Sequence, residues 1–247
     1  MSVGGSAVDA VSLRADAVLF DIDDTLVDFA GAARLALLGA IGSATGLSPD
    51  AILDSWDRLS QVQYDRYTAG ELDFDGMRVA RMRVVLADLD PAGEYDADVI
   101  EAARHDAIFG HYRLFDDVLP CLSRLREAGV PVGLISNSDG DYQRRKLAAV
   151  GLSDLAADAV CSGDIGVAKP DPAIFAVVCE QLGVHPGRAV YVGDRWTTDV
   201  LGSLAAGMGA VWLNRHHLPR PTPTPALLPG RQFAELPTLT PLTLTHP

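Results

Sequence analysis

The chain has 247 residues, enough for one large domain or a core with a smaller appendage, and its 48% hydrophobic and 21% charged residues are typical of a soluble globular protein. A formal net charge of −13 argues against a nucleic acid or an anionic membrane as partner, although a metal ion and local cations can still attract a small anionic substrate. No apolar run reaches the roughly 18 residues of a membrane span. The three cysteines, Cys121, Cys161 and Cys179, lack the spacing of a disulfide framework or a zinc site. We therefore expect a cytoplasmic protein with reduced thiols.

The first predicted strand, residues 17–20, leads directly into a group of carboxylates. Its uninterrupted apolar residues indicate a strand buried on both faces of a parallel sheet. Asp21, Asp23 and Asp24 follow at once, and like charges this close repel one another. Oxygen-only ligands favour magnesium over zinc as the neutralising ion. A solvated acidic turn would look the same in isolation, so the rest of the chain has to decide.

Residues 29–112 have the hydrophobic pattern of helices. Apolar residues recur at helical spacing in segments separated by turns that contain glycine or proline. Ser48-Pro49-Asp50 begins one of these segments with a capping residue followed by proline. We therefore predict an all-helical domain over residues 29–112, inserted after the first strand.

Strands alternate with helices beyond residue 113. The further predicted strands comprise residues 131–135, 159–161, 188–192 and 210–213. Repeated β-α units imply right-handed crossovers, so the expected fold class is α/β, with a doubly wound parallel (Rossmann-like) sheet built from residues 1–28 and 113–217. Prolines at 219, 221, 223 and 225 predict an extended tail over residues 218–247, in which apolar residues such as Phe233 could fold back on the core.

Polar residues that suit phosphoryl transfer follow these strands or begin the helices after them. They are Asp21 and Asp23, Ser136 and Asn137, Lys169, and Asp194 with Asp199. A parallel sheet places the ends of its strands at one edge, so these side chains are expected to meet there. Carboxylates for a metal ion, a hydroxyl and amides for a phosphoryl group, and one ammonium for charge balance together indicate a phosphoryl-transfer site.

Four ordered motifs resemble those of the haloacid dehalogenase-like hydrolase superfamily, in the branch with a helical cap inserted after the first strand. The motifs are Asp21-Ile22-Asp23-Asp24-Thr25, Ser136-Asn137, Lys169-Pro170 and Gly193-Asp194 through Asp199. The resemblance covers roughly residues 16–214. It implies a Mg²⁺-dependent hydrolase of a small phosphomonoester that works through an aspartyl-phosphate intermediate.

The resemblance also implies a role for each motif residue. Asp21 would attack phosphorus, Asp23 would carry the proton, and Lys169 would offset the repulsion between nucleophile and phosphate. The remaining assignments follow from the same resemblance: substrate binding by Thr25, Ser136 and the amide of Asn137, and Mg²⁺ binding by Asp21, the Asp23 backbone carbonyl, Asp194 and the supporting carboxylate of Asp199.

Two departures from the usual family pattern affect the expected site. Asp24 stands where glycine is common, and aspartate tolerates unusual backbone angles better than most residues. Arg195 and Trp196 replace small residues after Asp194, and they could either narrow the site or place a cation beside the phosphate.

Related activities can be separated by single features of the sequence. Asp23 disfavours a dehalogenase, which needs no acid for an alkoxide leaving group, and residues 29–112 contain no lysine for a phosphonatase of this superfamily. A sugar phosphomutase remains an alternative, and a non-catalytic binding protein on the same fold is a less favoured one.

The substrate class stays open between sugar phosphates and nucleoside monophosphates, and the sequence leaves the oligomeric state undetermined. The cap residues able to contact a leaving group are Tyr64, Arg66, Tyr67, Arg78, Arg81 and His105, with Arg113 at the edge.

Overall fold

The computed structural model describes residues 11–221 and 232–245. The strands are β1 (Val11–Arg14), β2 (Ala17–Phe20), β3 (Val132–Ser136), β4 (Val160–Cys161), β5 (Ala189–Gly193), β6 (Gly209–Leu213), β7 (Phe233–Leu236) and β8 (Leu242–Thr245). The α-helices are α1 (Phe29–Thr45), α2 (Pro49–Thr68), α3 (Phe74–Leu89), α4 (Ala97–Ile108), α5 (Val118–Glu127), α6 (Gly140–Ala149), α7 (Ser153–Ala156), α8 (Ser162–Ile165), α9 (Pro172–Gln181) and α10 (Gly202–Ala205).

The main sheet has six strands in the order β4-β3-β2-β5-β6-β7, and every neighbouring pair is parallel. This confirms the expected α/β class with a parallel sheet between helices. All four residues of β2 are fully buried, as its unbroken apolar sequence predicts. The chain leaves β2 toward β3 and β4 on one side and later returns to β5 and β6 on the other, so the strand order reverses next to β2. Ligands of open α/β sheets bind beside such a reversal, outside the carboxyl ends of the strands.

The strand register aligns the carboxyl ends of β2, β3 and β5. Phe20 is paired with Leu134 on one side and with Val192 on the other. Asp21, the first residue after β2, donates its backbone N–H to the carbonyl of Val192 at 2.9 Å. Residues that follow these three strands therefore begin at the same edge of the sheet.

The C-terminal segment corrects the prediction of an extended tail over residues 218–247. β7 adds to the sheet beside β6, and β8 pairs in parallel with β1 in a separate two-stranded sheet. Leu236 and Leu239 are 1% and 0% exposed, so they belong to the core. The apolar residues of this segment thus fold back on the core, as the sequence allowed, but they do so in strands and not in an extended tail. Residues 222–231, with the first ten and last two residues, lie outside the described ranges.

The chain divides into two compact units. One comprises Met1–Val27, Leu114–Leu147 and Leu152–Pro247, and the other comprises Asp28–Arg113 with Ala148–Gly151. The second unit contains α1 to α4, and Ser48 caps α2 as predicted, accepting a hydrogen bond from the backbone of Ala51. Its helices bury a common apolar cluster made of Leu37, Ile41, Ile52, Met82, Val85, Leu86 and Ile100.

Two further findings concern the helices and the thiols. Residues Trp196–Leu201 form a π-helical turn, which is followed by the short helix α10. All three cysteines are buried free thiols. No helix within residues 11–221 and 232–245 is both long and apolar enough to cross a membrane.

Candidate active site

The loop after β2 is a closed turn that presents Asp21 and Asp23. The backbone N–H groups of Leu26 and Val27 both donate to the carbonyl of Ile22, at 2.9 and 3.0 Å, and Asp24 donates its N–H to the carbonyl of Val27 at 2.7 Å. Asp24 has φ 58°, in the left-handed region where glycine is favoured and aspartate is tolerated. The turn therefore keeps its geometry without the glycine that is common at this position.

Lys169 is the buried cation of the site. Its ammonium donates to Oδ1 of Asp21 at 2.5 Å and to Oδ1 of Asp199 at 2.8 Å. The third donor contacts the hydroxyl of Tyr191 at 2.8 Å. The Lys169 side chain is 3% exposed, so one ammonium compensates two carboxylates with little help from water.

The Asn137 side chain fixes the backbone of Lys169. Its Nδ2 donates to the Lys169 carbonyl at 2.8 Å, and its Oδ1 accepts from the Lys169 N–H at 2.7 Å. Asp171 then caps α9 by accepting from the N–H of Ala173, so the lysine stands immediately before a rigid helix start. The side chain of Asn137 thus holds the lysine loop, which leaves the predicted phosphoryl contact to its backbone amide.

Asp199 is enclosed by protein groups. Oδ1 accepts from Lys169, and Oδ2 accepts from the backbone N–H of Arg195 at 2.9 Å. Asp199 is 1% exposed, and it packs so closely on Gly193 that a Cβ there would lie 2.5 Å from Oδ2. Each of its oxygens accepts a hydrogen bond from these groups, so Asp199 orients Lys169 and the loop after β5.

Asp21, Asp194 and Asp199 form an acidic cluster that could hold a metal ion. Each offers a carboxylate oxygen, and these oxygens lie within 4.8 Å of one another. Among the described residues, none donates a hydrogen bond to the side chain of Asp194, while its backbone carbonyl accepts from Trp212 Nε1 at 2.8 Å. A set of oxygen ligands with one unengaged carboxylate fits a hard divalent cation.

The protonation of this cluster is governed by burial and by repulsion between like charges. Burial raises the pKa of Asp21 from 3.8 to about 7, with Asp199 and Asp23 adding to the rise and Lys169 opposing it. Burial, Asp21 and Asp199 also raise the pKa of Asp194 well above its usual range. Burial acts to lower the pKa of Lys169, but Asp199 and Asp21 outweigh that effect and raise it. The single ammonium of Lys169 therefore does not balance the negative charge of the three carboxylates when all are ionised.

Asp23 points to a different set of partners. Its Oδ1 lies 2.5 Å from the ammonium of Lys146, and its Oδ2 accepts from Nε2 of Gln143 at 2.7 Å. The same Nε2 lies 2.6 Å from Oγ of Ser136. The structure thus brings the predicted proton carrier and the predicted phosphoryl-binding hydroxyl together through one side chain of α6.

Thr25 and the two bulky residues after Asp194 occupy defined places. Thr25 is fully buried, and its hydroxyl has no hydrogen-bond partner within the described residues, while its carbonyl accepts from Arg215 at 2.8 Å. Trp196 packs edge-on against Trp212, with ring centroids 5.1 Å apart, so it is a core residue. Arg195 is exposed, and its charge acts to lower the pKa of Asp194. Arg195 therefore places a positive charge near Asp194, while Trp196 belongs to the core.

Sequence reasoning missed three side chains of the site: Gln143, Lys146 and Tyr191. Lys146 had one available signal, because Lys146 and Lys169 are the only lysines beside eighteen arginines, and both are buried against aspartates. Gln143 lies one helical turn from Lys146, on the same face of α6. Tyr191 gives no local signal, because it reads as an ordinary apolar strand residue.

The predicted leaving-group residues of the cap unit differ in their surroundings. Arg78 contacts both His105 and Glu101, with Arg78 Nε 3.3 Å from a Glu101 oxygen. Arg81 lies over the ring of Trp56, 4.9 Å from its centroid. The other predicted residues are more exposed or pack with one another: Tyr64 contacts Tyr67, Arg66 pairs with Glu71, and Arg113 is exposed.

Comparison with known proteins identifies the family. The sequence model of the haloacid dehalogenase-like hydrolases matches residues 15–207. The chain is 35% identical to the glyceraldehyde 3-phosphate phosphatase of Methanopyrus kandleri over 205 residues, which cover 81% of this chain and 84% of the relative. It is 30% identical to the N-acylneuraminate-9-phosphatase of Mus musculus over 227 residues, which cover 82% and 84%.

A solved structure agrees on the fold. The hydrolase YfnB from Bacillus subtilis, described as bound to magnesium, superposes with a TM-score of 0.75 and covers 92% of this chain and 96% of its own at 24% identity. The ordered motifs, the buried Asp21–Lys169–Asp199 cluster and the match over residues 15–207 agree with one another. The chain belongs to the haloacid dehalogenase-like hydrolase family, and within that family it is a phosphatase.

Proposed function

We propose that this protein is a Mg²⁺-dependent hydrolase of a small phosphomonoester and that Asp21 forms an aspartyl-phosphate intermediate. One observation carries the proposal: a buried carboxylate, Asp21, contacts the Lys169 ammonium and lies beside the unengaged carboxylate of Asp194. A nucleophile, a compensating cation and a metal-competent ligand thus meet at the carboxyl end of β2.

The proposed Mg²⁺ ligands are the Asp21 side chain, the backbone carbonyl of Asp23 and the Asp194 side chain. Asp199 would support them through its bonds to Lys169 and to the Arg195 backbone. When bound, the ion supplies positive charge that offsets the carboxylates and polarises the phosphoryl group. The raised pKa values of Asp21 and Asp194 support a cation at this position, because burial and repulsion from neighbouring carboxylates, Asp199 among them, contribute to both.

The proposed reaction has two steps at phosphorus. In the first, a carboxylate oxygen of Asp21 bonds to phosphorus while the ester P–O bond breaks, and Asp23 gives its proton to the departing oxygen, which leaves as an alcohol. In the second, water attacks phosphorus, Asp23 takes its proton, and the bond from phosphorus to Asp21 breaks. Inorganic phosphate leaves, and both aspartates return to their initial states.

The remaining polar groups hold the phosphoryl oxygens. The hydroxyl of Ser136 and the backbone amide of Asn137 would donate hydrogen bonds to them, and Thr25 would orient the loop after β2. Lys169 would offset the repulsion between Asp21 and the incoming phosphate, for which its 2.5 Å contact with Asp21 is suited.

The substrate class is supported by the two curated relatives, whose names specify glyceraldehyde 3-phosphate and an N-acylneuraminate 9-phosphate. Both are small phosphomonoesters, and we propose a sugar-type phosphate of this kind. Nucleoside monophosphates are the alternative that a substrate panel must include. We also propose a cytoplasmic location, because free cysteines suit a reducing compartment.

A substrate panel tests the proposal. Phosphate release is measured with and without Mg²⁺ for glyceraldehyde 3-phosphate, N-acetylneuraminate 9-phosphate, phosphoserine, glucose 6-phosphate, nucleoside 5′-monophosphates and p-nitrophenyl phosphate. We expect turnover that requires Mg²⁺ and is abolished in Asp21→Asn. Turnover that persists in Asp21→Asn, or without any divalent metal, contradicts the mechanism. Isomerisation of a sugar phosphate faster than its hydrolysis would establish a phosphomutase instead.

A further inference from the structure

One face of α6 joins two groups of the proposed reaction. Gln143 and Lys146 lie three positions apart on this helix, and both are 0% exposed. Gln143 donates to both Asp23 and Ser136, and Lys146 donates to the other oxygen of Asp23. We propose that Gln143 and Lys146 are positioning residues, which orient Asp23 for proton transfer and Ser136 for phosphoryl binding. This inference rests on the proposed function.

The direction of the hydrogen bonds at Gln143 follows from the partners. Rotating the amide would place its oxygen against the Asp23 carboxylate at 2.7 Å, where two acceptors would repel. The nitrogen must therefore face Asp23, and the same nitrogen lies 2.6 Å from Ser136 Oγ. The two N–H groups of Gln143 thus serve these two oxygens. Ser136 Oγ accepts this bond, so its own O–H remains available to donate to a phosphoryl oxygen.

The acceptor atom of Gln143 supports a role beyond stability. Gln143 Oε1 is buried and has no hydrogen-bond partner among the residues that the structure describes. An unsatisfied buried carbonyl oxygen destabilises the folded state, and an apolar side chain of similar size would avoid this cost. The presence of an amide at position 143 is therefore best explained by its two N–H donors, both of which contact groups of the proposed reaction.

Lys146 completes the orientation of Asp23. Its buried ammonium contacts Oδ1 while Gln143 contacts Oδ2, so each carboxylate oxygen has one fixed donor. Each oxygen keeps a further lone pair with which Asp23 can exchange a proton with a leaving group or a water molecule. Two fixed donors set the plane of the carboxylate before substrate arrives, and such preorganisation is a recognised source of catalytic rate.

A comparison of leaving groups separates positioning from a general effect on folding. The variants are Lys146→Met and Gln143→Leu, assayed by pre-steady-state kinetics at saturating Mg²⁺ and substrate. The two substrates are p-nitrophenyl phosphate, whose leaving group needs little protonation, and the alkyl phosphomonoester of the panel that the wild type hydrolyses fastest. We expect alkyl ester cleavage to fall at least about tenfold, while the burst of p-nitrophenol stays within about threefold of the wild-type rate.

Two further readouts follow from the individual contacts. Because Asp23 also activates water, the variants should release p-nitrophenol in a fast burst followed by slower steady-state turnover. Gln143→Leu should also weaken competitive inhibition by inorganic phosphate more than Lys146→Met does, since only Gln143 contacts Ser136. Lys146→Arg, which keeps a cation beside Asp23, should recover a substantial part of the alkyl ester rate.

The controls distinguish the failure of this inference from the failure of the proposed function. Arg145→Met removes an exposed cation from the same helix and should leave both rates unchanged. If Asp21→Asn still hydrolyses both esters, the proposed function is wrong. If Asp21→Asn is inactive but the α6 variants slow both esters equally, or leave the alkyl ester rate unchanged, the inference is wrong. Should Gln143→Leu fail to fold, Gln143→Glu replaces it, since this variant keeps the size of the side chain but places a like charge against Asp23. It must then give the same selective loss of alkyl ester cleavage.

Discussion

The ammonium of Lys169 lies 2.5 Å from Oδ1 of Asp21, so the proposed nucleophile is held by direct contact with the buried cation of the site. The same ammonium also contacts Asp199, which means that one positive charge is shared between two buried carboxylates. Burial, together with repulsion from Asp199, keeps the pKa of Asp21 raised, at about 7, despite its ion pair with Lys169. The consequences can be tested one residue at a time.

Lys169→Met should abolish turnover and lower the stability of the metal-free protein. The substitution leaves Asp21 and Asp199 buried without their cation, and breaking a buried pair in this way costs about 3–5 kcal/mol. Chemical denaturation in EDTA measures the change. The matched control is Arg188→Met, which removes an exposed ion pair with Asp16, in which the arginine side chain is 58% exposed. This substitution should lower the free energy of unfolding by less than about 1 kcal/mol. Similar losses in the two variants would contradict the prediction.

Asp21→Asn should stabilise the metal-free protein relative to wild type, and more so as pH rises. The pKa of Asp21 is raised to about 7 from 3.8, so the folded state holds its proton more tightly than the unfolded state. That contribution is fully present below pH 3.8 and is lost as pH rises toward and through 7. The asparagine variant has no such loss. Urea denaturation in EDTA at pH 5 and pH 8 should therefore show a larger advantage for the variant at pH 8. An advantage that shrinks with pH would refute the assignment.

Asp194→Asn should weaken the stabilisation of the protein by Mg²⁺. The carboxylate of Asp194 lies within 4.8 Å of Asp21 oxygen, and binding of a ligand to the folded state alone raises the melting temperature. We expect the midpoint of the Mg²⁺ titration, followed by thermal melting, to rise at least about tenfold in the variant. Asp139→Asn is a control on another loop, where the carboxylate caps α6 by accepting from the backbone of Tyr142. An unchanged Mg²⁺ midpoint in Asp194→Asn would exclude this residue as a ligand.

Gly193→Ala should disturb the site although it adds only one methyl group. The new Cβ would lie 2.5 Å from Oδ2 and 2.6 Å from Cβ of Asp199, so the carboxylate has to move away from Lys169 and the Arg195 backbone. We expect kcat to fall at least about tenfold, with a loss of about 1–3 kcal/mol in unfolding free energy. Gly39→Ala, in α1, meets nothing within 4 Å and should stabilise the protein by about 0.5–1 kcal/mol. Full activity in Gly193→Ala would show that the position of Asp199 is unimportant.

Local signals account for the parts of the protein that could be predicted from sequence. The buried strand at residues 17–20, the proline-led start of α2 after Ser48, and the helical character of residues 29–112 depend on hydrophobic period and capping, which act over a few residues. The ordered motifs placed Asp21 and Asp194 at strand ends and Lys169 before the start of a helix, at the edge where a parallel sheet brings such residues together. The two strands beyond residue 232 were missed because a short apolar run carries little information until its partner strand is known.

The sequence by itself determined the α/β class, the inserted helical segment and the chemical types of the residues in the acidic motifs. Only the tertiary structure decided which side chains contact one another. Lys146 and Asp23 are 123 positions apart, and Lys169 and Asp21 are 148 apart. Such pairs depend on the order of strands in the sheet and on how α6 and the Lys169 loop pack against it, and no local pattern encodes either. For the same reason only the folded protein shows that Asp199, the supporting carboxylate of the motif, contacts Lys169 and the Arg195 backbone.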